Sequence, residues 1–372
     1  MRENMGETGE YMRARMNVYL TTGKKNYKYA YVAIKSLFEK NQSSEIYLYI
    51  VSEDLDDSDL AYENELAQQY GHHIFILRFD EEAAGRHIQF GPKDHWAVGA
   101  MSSYWMFHEL LPEDVDRIIA IESDTVIVGD LSEIYHTDFD GNYMISSGPE
   151  HKPENHRNFM KKIGGECITF VLSVYDVKSI RNNFSLADIL STDAKIRKTA
   201  GNSMMELTFG LLFRGKIMYI PARIACIDEN ERYMEELGYD YVSECEKTAK
   251  IIHFSSYGDY SKPWNPVFLV PGYSVWWRHA AESPYYKEYI ERQWQIYNNT
   301  RKEQQEIAKN ITYKNILLCS MVGMILILMA FCLIVRSDWV GCLMVPAAAG
   351  AALGLSVLFR RITIALGKAK SR

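Results

Sequence analysis

The chain has 372 residues, 47% hydrophobic and 24% charged, with a net charge of -7. That composition excludes a disordered tail, a collagen-like repeat and a disulfide mini-protein, and it is enough chain for one large domain or two smaller ones. The acidic balance, with no basic stripe, excludes a nucleic acid as the main partner, because such partners demand concentrated Lys and Arg. Six cysteines (Cys167, Cys226, Cys245, Cys319, Cys332 and Cys342) show no paired spacing. This argues against a zinc site or a disulfide framework and favours a reducing compartment.

Residues 1–15 are polar, have no apolar run of the signal-peptide kind, and are expected to be disordered. From Met16 apolar runs of strand length alternate with helical stretches: a strand over Asn17–Thr22, a helix over Ala30–Lys40, a strand over Ile46–Ser52, a helix over Asp57–Tyr70 and a strand over Ile74–Phe79. Such alternation builds βαβ units, so the expected fold of residues 16–283 is α/β, with a mostly parallel mixed sheet covered on both faces. Sheets of this kind bind ligands beyond the carboxyl ends of their strands, which directs attention to the loops that follow them.

The end of the chain differs in kind. Residues 284–314 mix aromatic and charged side chains in a helical pattern, which suits a helix packed on the domain and then a linker, or a helix lying at a bilayer surface. Ile316–Val335 has no charged residue, and at a helical rise of about 1.5 Å it would be about 30 Å long, one hydrocarbon core. Trp339–Phe359 is a second uncharged run, and Gly350 and Gly354 within it have the spacing of closely packed membrane helices. The pair predicts a transmembrane hairpin over residues 315–360 and a basic tail over 361–372. Arg301, Lys302, Lys309 and Lys314 precede the hairpin, and Arg360, Arg361, Lys368, Lys370 and Arg372 follow it. By the positive-inside rule both ends, and the α/β domain with them, are expected in the cytoplasm.

Two stretches carry candidate chemistry. In the first, the apolar strand Ile118–Ile121 runs into Glu122, Ser123 and Asp124, followed by a second apolar run and Gly129-Asp130. Alternation along a strand puts Glu122 and Asp124 on one face, where two carboxylates can share a hard divalent ion; the plain alternative is a solvated turn. In the second, His253 follows an apolar run, a loop with Ser255, Ser256 and Gly258 comes next, and Lys262-Pro263-Trp264 closes it. An imidazole is a common metal ligand and an ammonium a good phosphate partner, so this loop is a candidate third ligand and diphosphate clamp; the alternative is a structural histidine.

With these motifs in this order, residues 17–264 resemble glycosyltransferase family 8. The resemblance is carried by Thr21-Thr22, Asn26-Tyr27 and Ser36-Leu37, by Glu122-x-Asp124 followed by Val128 to Leu131, by His253, Gly258 and Lys262-Pro263-Trp264, and by the aromatic stretch from Trp276 to Tyr286. It implies a nucleotide-sugar-binding domain of the GT-A type that uses Mn²⁺ (or Mg²⁺) and transfers sugar with retention of configuration. The donor it implies is a nucleotide diphosphate hexose, UDP-linked, and the acceptor a membrane-associated polysaccharide or a lipid-linked glycan. By position it implies metal ligation by Glu122, Asp124 and His253. It further implies nucleotide-sugar binding by Thr21, Thr22, Asn26, Tyr27, Ser123, Gly258 and Lys262, a sugar pocket at Tyr104 and Thr169, and a catalytic role for Glu206.

The chain also departs from the family pattern. Glu122 stands where the family has Asp, Gly23 where it has a base-reading Asp, and Met106 where it has Arg. Thr169-Phe170-Val171 replaces an Asn-Ser-Gly segment, and Met205-Glu206-Leu207 replaces Asp-Gln-Asp before Leu212-Phe213-Arg214-Gly215. These departures support a second expectation, a catalytically inactive member acting as a binding or scaffold subunit in a polysaccharide assembly. They support it because a lost site and an altered specificity look alike in one sequence.

Overall fold

A computed structural model describes residues 13–78, 98–149, 154–201, 205–227, 247–254, 262–265 and 272–335. The chain divides into two compact units, Met1–Gln293 and Trp294–Arg372. The first is built on strands β1 (Ala14–Thr21), β2 (Ser44–Ser52), β3 (His73–Arg78), β4 (Arg117–Glu122), β6 (Met144–Ser147), β7 (Ser173–Asp176) and β8 (Ile217–Ile220). They form one sheet in the order β3-β2-β1-β4-β7-β6-β8. All neighbours pair in parallel except across β7, which is antiparallel to both β4 and β6. The expected mostly parallel mixed sheet is therefore present.

Burial follows the two-residue period of the strands. Val18, Leu20, Ile119 and Ile121 face a core shared with helices α1 (Tyr27–Lys40) and α2 (Ala61–Tyr70). Helix α9 (Tyr273–Ala281) contributes Trp276 and Ala280 to the same core. Tyr19, Ile118 and Ala120 face a second core, shared with α3 (Val98–Leu110), α6 (Val177–Asn183), α7 (Leu186–Ala200) and α8 (Met205–Leu212). The short helices α4 (Ser132–His136) and α5 (Glu154–Ile163) complete this unit up to its last helix. Helix α2 begins at Ala61, four residues after the expected start. The Asp56 carboxylate accepts the backbone N–H groups of Ser58 and Asp59, which gives that segment a turn instead of a first helical turn.

A second, three-stranded sheet has the order β5-β10-β9, with β5 over Thr125–Ile127, β9 over Ala225–Ile227 and β10 over Ile251–His253. β10 pairs antiparallel with β5 and parallel with β9. One glycine in this unit is demanded by close approach. A Cβ on Gly210 of α8 would lie 2.0 Å from the Glu166 carbonyl oxygen, and the Glu166 N–H donates to the Gly210 carbonyl at 2.8 Å.

Helix α10 covers Tyr286–Val335. No helix among the described residues is long and apolar enough to cross a membrane. That overturns the expected localisation, a two-span membrane protein with a cytoplasmic catalytic domain, and leaves the expected hairpin unsupported. The proposed first span, Ile316–Val335, is the closing part of a 50-residue helix whose earlier part is rich in Lys, Arg, Glu and Gln. Charge-free length alone suggests a self-contained span and does not report the charged helix that the run continues. The second run, Trp339–Phe359, lies outside the described residues, as do residues 361–372.

Candidate active site

The site grows out of the place where β4 ends. The strand stops at Glu122, and the Thr125 hydroxyl donates to the Glu122 carbonyl at 2.7 Å, closing a turn through Ser123 and Asp124. Thr125 then pairs with His253 across β5 and β10, and the Phe254 N–H donates to the Asp124 carbonyl at 3.0 Å. This register sets the imidazole beside both carboxylates. Helix α1 holds the segment from behind. The Ser36 hydroxyl accepts the Ile127 N–H at 2.9 Å, and the Asn41 side-chain oxygen accepts the Leu131 N–H at 2.7 Å, both in the core. Asp130 accepts the Ser132 N–H at 2.7 Å, so the Val128 to Leu131 motif serves the loop's own conformation.

His253 Nε2 lies 2.6 Å from Glu122 Oε2 and 3.2 Å from Asp124 Oδ1. A ring nitrogen between two carboxylate oxygens donates its N–H to them. Lys262 adds an ammonium that donates to Asp124 Oδ2 and to the Phe254 carbonyl. Burial alone would push the His253 imidazole down, but Asp124 and Glu122 outweigh it and raise it to about 9. Burial would likewise raise the Asp124 carboxyl; Lys262 and His253 prevail and hold it well below the usual carboxylate range. One ligand atom from each of Glu122, Asp124 and His253 falls within a 4.8 Å cluster. Bonds of about 2 Å to a divalent ion put opposite ligands about 4 Å apart, so these side chains can surround one ion. Two carboxylate oxygens with one imidazole form a donor set for a divalent cation.

The other expected residues lie at varied distances from this cluster. Thr21 pairs in register with Glu122, at the carboxyl edge of the sheet. Thr22 follows, 4% exposed, with a buried hydroxyl that has no partner among the described residues. Asn26 is exposed at the start of α1, and Tyr27 sets its ring edge-on to Tyr285. Ser123 is half-buried in the turn. Tyr104 is buried beside Thr21; burial foremost, and then the Glu122 charge, push its phenol well above the usual range. Thr169 is 1% exposed, and its side chain and backbone close a network with Ser146, Ser147 and Ser173. Glu206 is half-buried in the first turn of α8. Gly258 lies outside the described residues.

Three features escaped the sequence reading. Tyr175 on β7 is buried near two of the expected acids. Burial raises its phenol and the Ser173 hydroxyl opposes this, while the charges of both Glu122 and Glu206 add to the rise. Asp54 lies beside Gly23: a Cβ there would meet Asp54 Oδ1 at 3.0 Å, and the Lys24 N–H donates to the same oxygen at 3.0 Å. The carboxylate absent at position 23 is thus matched by one at the end of β2. The third is the Phe254 carbonyl that holds Lys262, for which a sequence carries no signal.

The Glycosyl transferase family 8 sequence model matches residues 17–267. No curated protein matches the chain significantly. Among solved structures the chain is similar to the galactosyltransferase LgtC in complex with donor and acceptor sugar analogues, at 16% identity over 72% of this chain and 96% of that one, with a TM-score of 0.59. It is also similar to the bifunctional glycosyltransferase WbbM, at 15% identity over 76% of this chain and 52% of that one, TM-score 0.59. A third likeness is to the glycosyltransferase GlyE of Streptococcus pneumoniae, at 14% identity over 71% of this chain and 60% of that one, TM-score 0.54. At these identities the likeness is one of fold.

Proposed function

Because the chain belongs to glycosyltransferase family 8, we propose that it is a metal-dependent, retaining hexosyltransferase that takes its sugar from a UDP-linked donor and delivers it to a glycan acceptor. The observation that carries this reading is the convergence of Glu122, Asp124 and His253, with Lys262 on the same carboxylate, at the carboxyl end of β4. Glu122, Asp124 and His253 would hold Mn²⁺ or Mg²⁺, which supplies Lewis-acid stabilisation of the departing diphosphate. Lys262 offers the same leaving group an ammonium. Thr21, Thr22, Asn26, Tyr27 and Ser123 line the approach for the nucleotide, and Asp54 supplies a carboxylate where Gly23 lacks one. Glu206 is the candidate beneath the sugar, as a nucleophile or as a polar support for front-side attack, with Tyr104 as a candidate for the sugar pocket.

A second reading, a binding or scaffold subunit, is favoured by one observation: Thr169 spends its hydrogen bonds on serines of the core. Calorimetric titration of the full chain with a panel of nucleoside diphosphates, with and without Mn²⁺, followed by donor turnover, separates the two. UDP binding that requires the ion, together with turnover of a UDP-hexose, is expected. Equal binding in chelator removes the metal from the donor site. Metal-dependent binding without turnover across a broad donor panel transfers the assignment to the scaffold.

A further inference from the structure

Lys262 holds the carboxylate that a divalent ion would need. The Lys262 ammonium donates to Asp124 Oδ2, the Asp124 Oδ1 atom faces His253 Nε2, and the Phe254 carbonyl holds the ammonium from its other side. Asp124 therefore has both oxygens engaged by cationic or N–H donors, and its side chain is about four-fifths buried. Little water is available to replace a lost partner, so an entering ion meets a carboxylate whose charge the ammonium already balances.

We propose that Lys262 is a built-in stand-in cation, displaced from Asp124 when the divalent ion enters, and that the donor's diphosphate drives the exchange by giving the ammonium a new anionic partner. This rests on the metal reading of the site and adds its regulation. A lysine suits the role because its charge sits at the end of a flexible four-carbon stem, able to move between partners while the backbone stays in place. The contact with the Phe254 carbonyl keeps the displaced ammonium within the same loop. Ion alone must leave an ammonium without a carboxylate, which is unfavourable in a site largely shielded from water. Ion together with diphosphate gives the ammonium an anionic partner again, and ligation by His253 releases its Nε2 proton to solvent. The two ligands are thereby coupled through one side chain, and each raises the affinity for the other.

The test is the affinity for MnCl₂ alone and in the presence of saturating UDP, read by the loss of the free Mn²⁺ paramagnetic signal and by calorimetry on the full chain. Lys262→Met, which keeps the stem and removes the charge, is expected to bind Mn²⁺ alone about tenfold more tightly than the parent. UDP should tighten its Mn²⁺ binding by a factor about tenfold smaller than in the parent. Lys262→Arg should bind Mn²⁺ alone as weakly as the parent, and thermal melts identify any variant that fails to fold. Should Lys262→Met misfold, Lys262→Gln serves with the same expectation. Unchanged or weaker Mn²⁺ binding in a folded neutral variant, alongside Mn²⁺-dependent UDP binding in the parent, overturns the stand-in role and leaves the metal site standing. Absence of Mn²⁺ binding in parent and variants alike, with UDP and without, overturns the metal reading and this proposal with it.

Discussion

Asp124 and Glu63 are both carboxylates withdrawn from water, and their surroundings drive them in opposite directions. Asp124 lies between an ammonium and an imidazole and is held ionised. Glu63, on α2 and 0% exposed, meets the Tyr285 hydroxyl at 3.3 Å and 3.4 Å, and burial pushes it up to about 7. The groups facing it are the phenols of Tyr27, Tyr31, Tyr285 and Tyr289, all of which feel its charge. Burial by itself does not mark a functional acid. A buried acid surrounded by cations has charge ready for a ligand, whereas one surrounded by phenols is a packing element with a removable proton.

The largest effect that tests this contrast is at Asp124. Asp124→Asn should lower transfer by about 10³-fold or more, about 4 kcal/mol, and abolish metal-dependent UDP binding. Its melting temperature should fall while the fold is kept, because the Lys262 ammonium loses its carboxylate in a site largely shielded from water, whereas Glu122 still accepts from His253. Initial rates, calorimetry and a thermal melt check all three, and retained activity with chelatable metal would break the contrast from one side.

Glu63→Gln tests it from the other. Below about pH 4.5 both folded and unfolded chains keep the Glu63 proton, so nothing is gained. As pH rises toward 7 the unfolded chain releases its proton first, so the native protein loses stability, and above 7 the full penalty stands. The amide should therefore stabilise the protein by about 3 kcal/mol at pH 8 and by almost nothing at pH 4, with turnover unchanged. Urea unfolding at the two pH values decides it, and an equal effect at both would show that folding does not shift the Glu63 carboxyl.

Smaller effects sharpen the same line between ligand-directed and self-satisfied polar groups. Thr169→Val strips a hydroxyl from the serine network and should cost about 2 kcal/mol in denaturant unfolding while KM for donor stays within about twofold. A large rise in KM with normal stability would return Thr169 to the sugar pocket. Glu206→Gln should reduce turnover about tenfold, or about 1.4 kcal/mol, as expected of a polar support. A loss of several powers of ten in both transfer and donor hydrolysis would make Glu206 the nucleophile.

Much of the fold was legible because its signals are local. The apolar runs over Asn17–Thr22 and Ile46–Ser52 mark strands, the helical stretch ending at Lys40 lies between them, and their alternation implies a parallel sheet. Helix α2 starts later than its pattern predicts because the Asp56 turn competes with helix through side-chain hydrogen bonds that composition does not reveal. In the site, Glu122 and Asp124 were found from two carboxylates flanked by apolar residues. Ser36 lies in the expected helix over Ala30–Lys40 and Asn41 just beyond it, with no local sign of their hold on the Ile127 and Leu131 N–H groups. Those bonds join residues about 90 positions apart, and no periodicity reports them.

Sequence by itself determined that residues 17–267 form an α/β transferase domain of family 8, since hydrophobic period and short motifs are properties of neighbouring residues. It did not determine the antiparallel β7 inside the parallel sheet, the separate three-stranded sheet, or the pairing of Thr125 with His253. Nor did it determine that Asp54 would stand beside Gly23, or that Lys262 would rest on Asp124. Each of these joins segments far apart in the chain. Their meeting depends on strand order and packing, through which the whole core selects one arrangement from many that the local pattern allows.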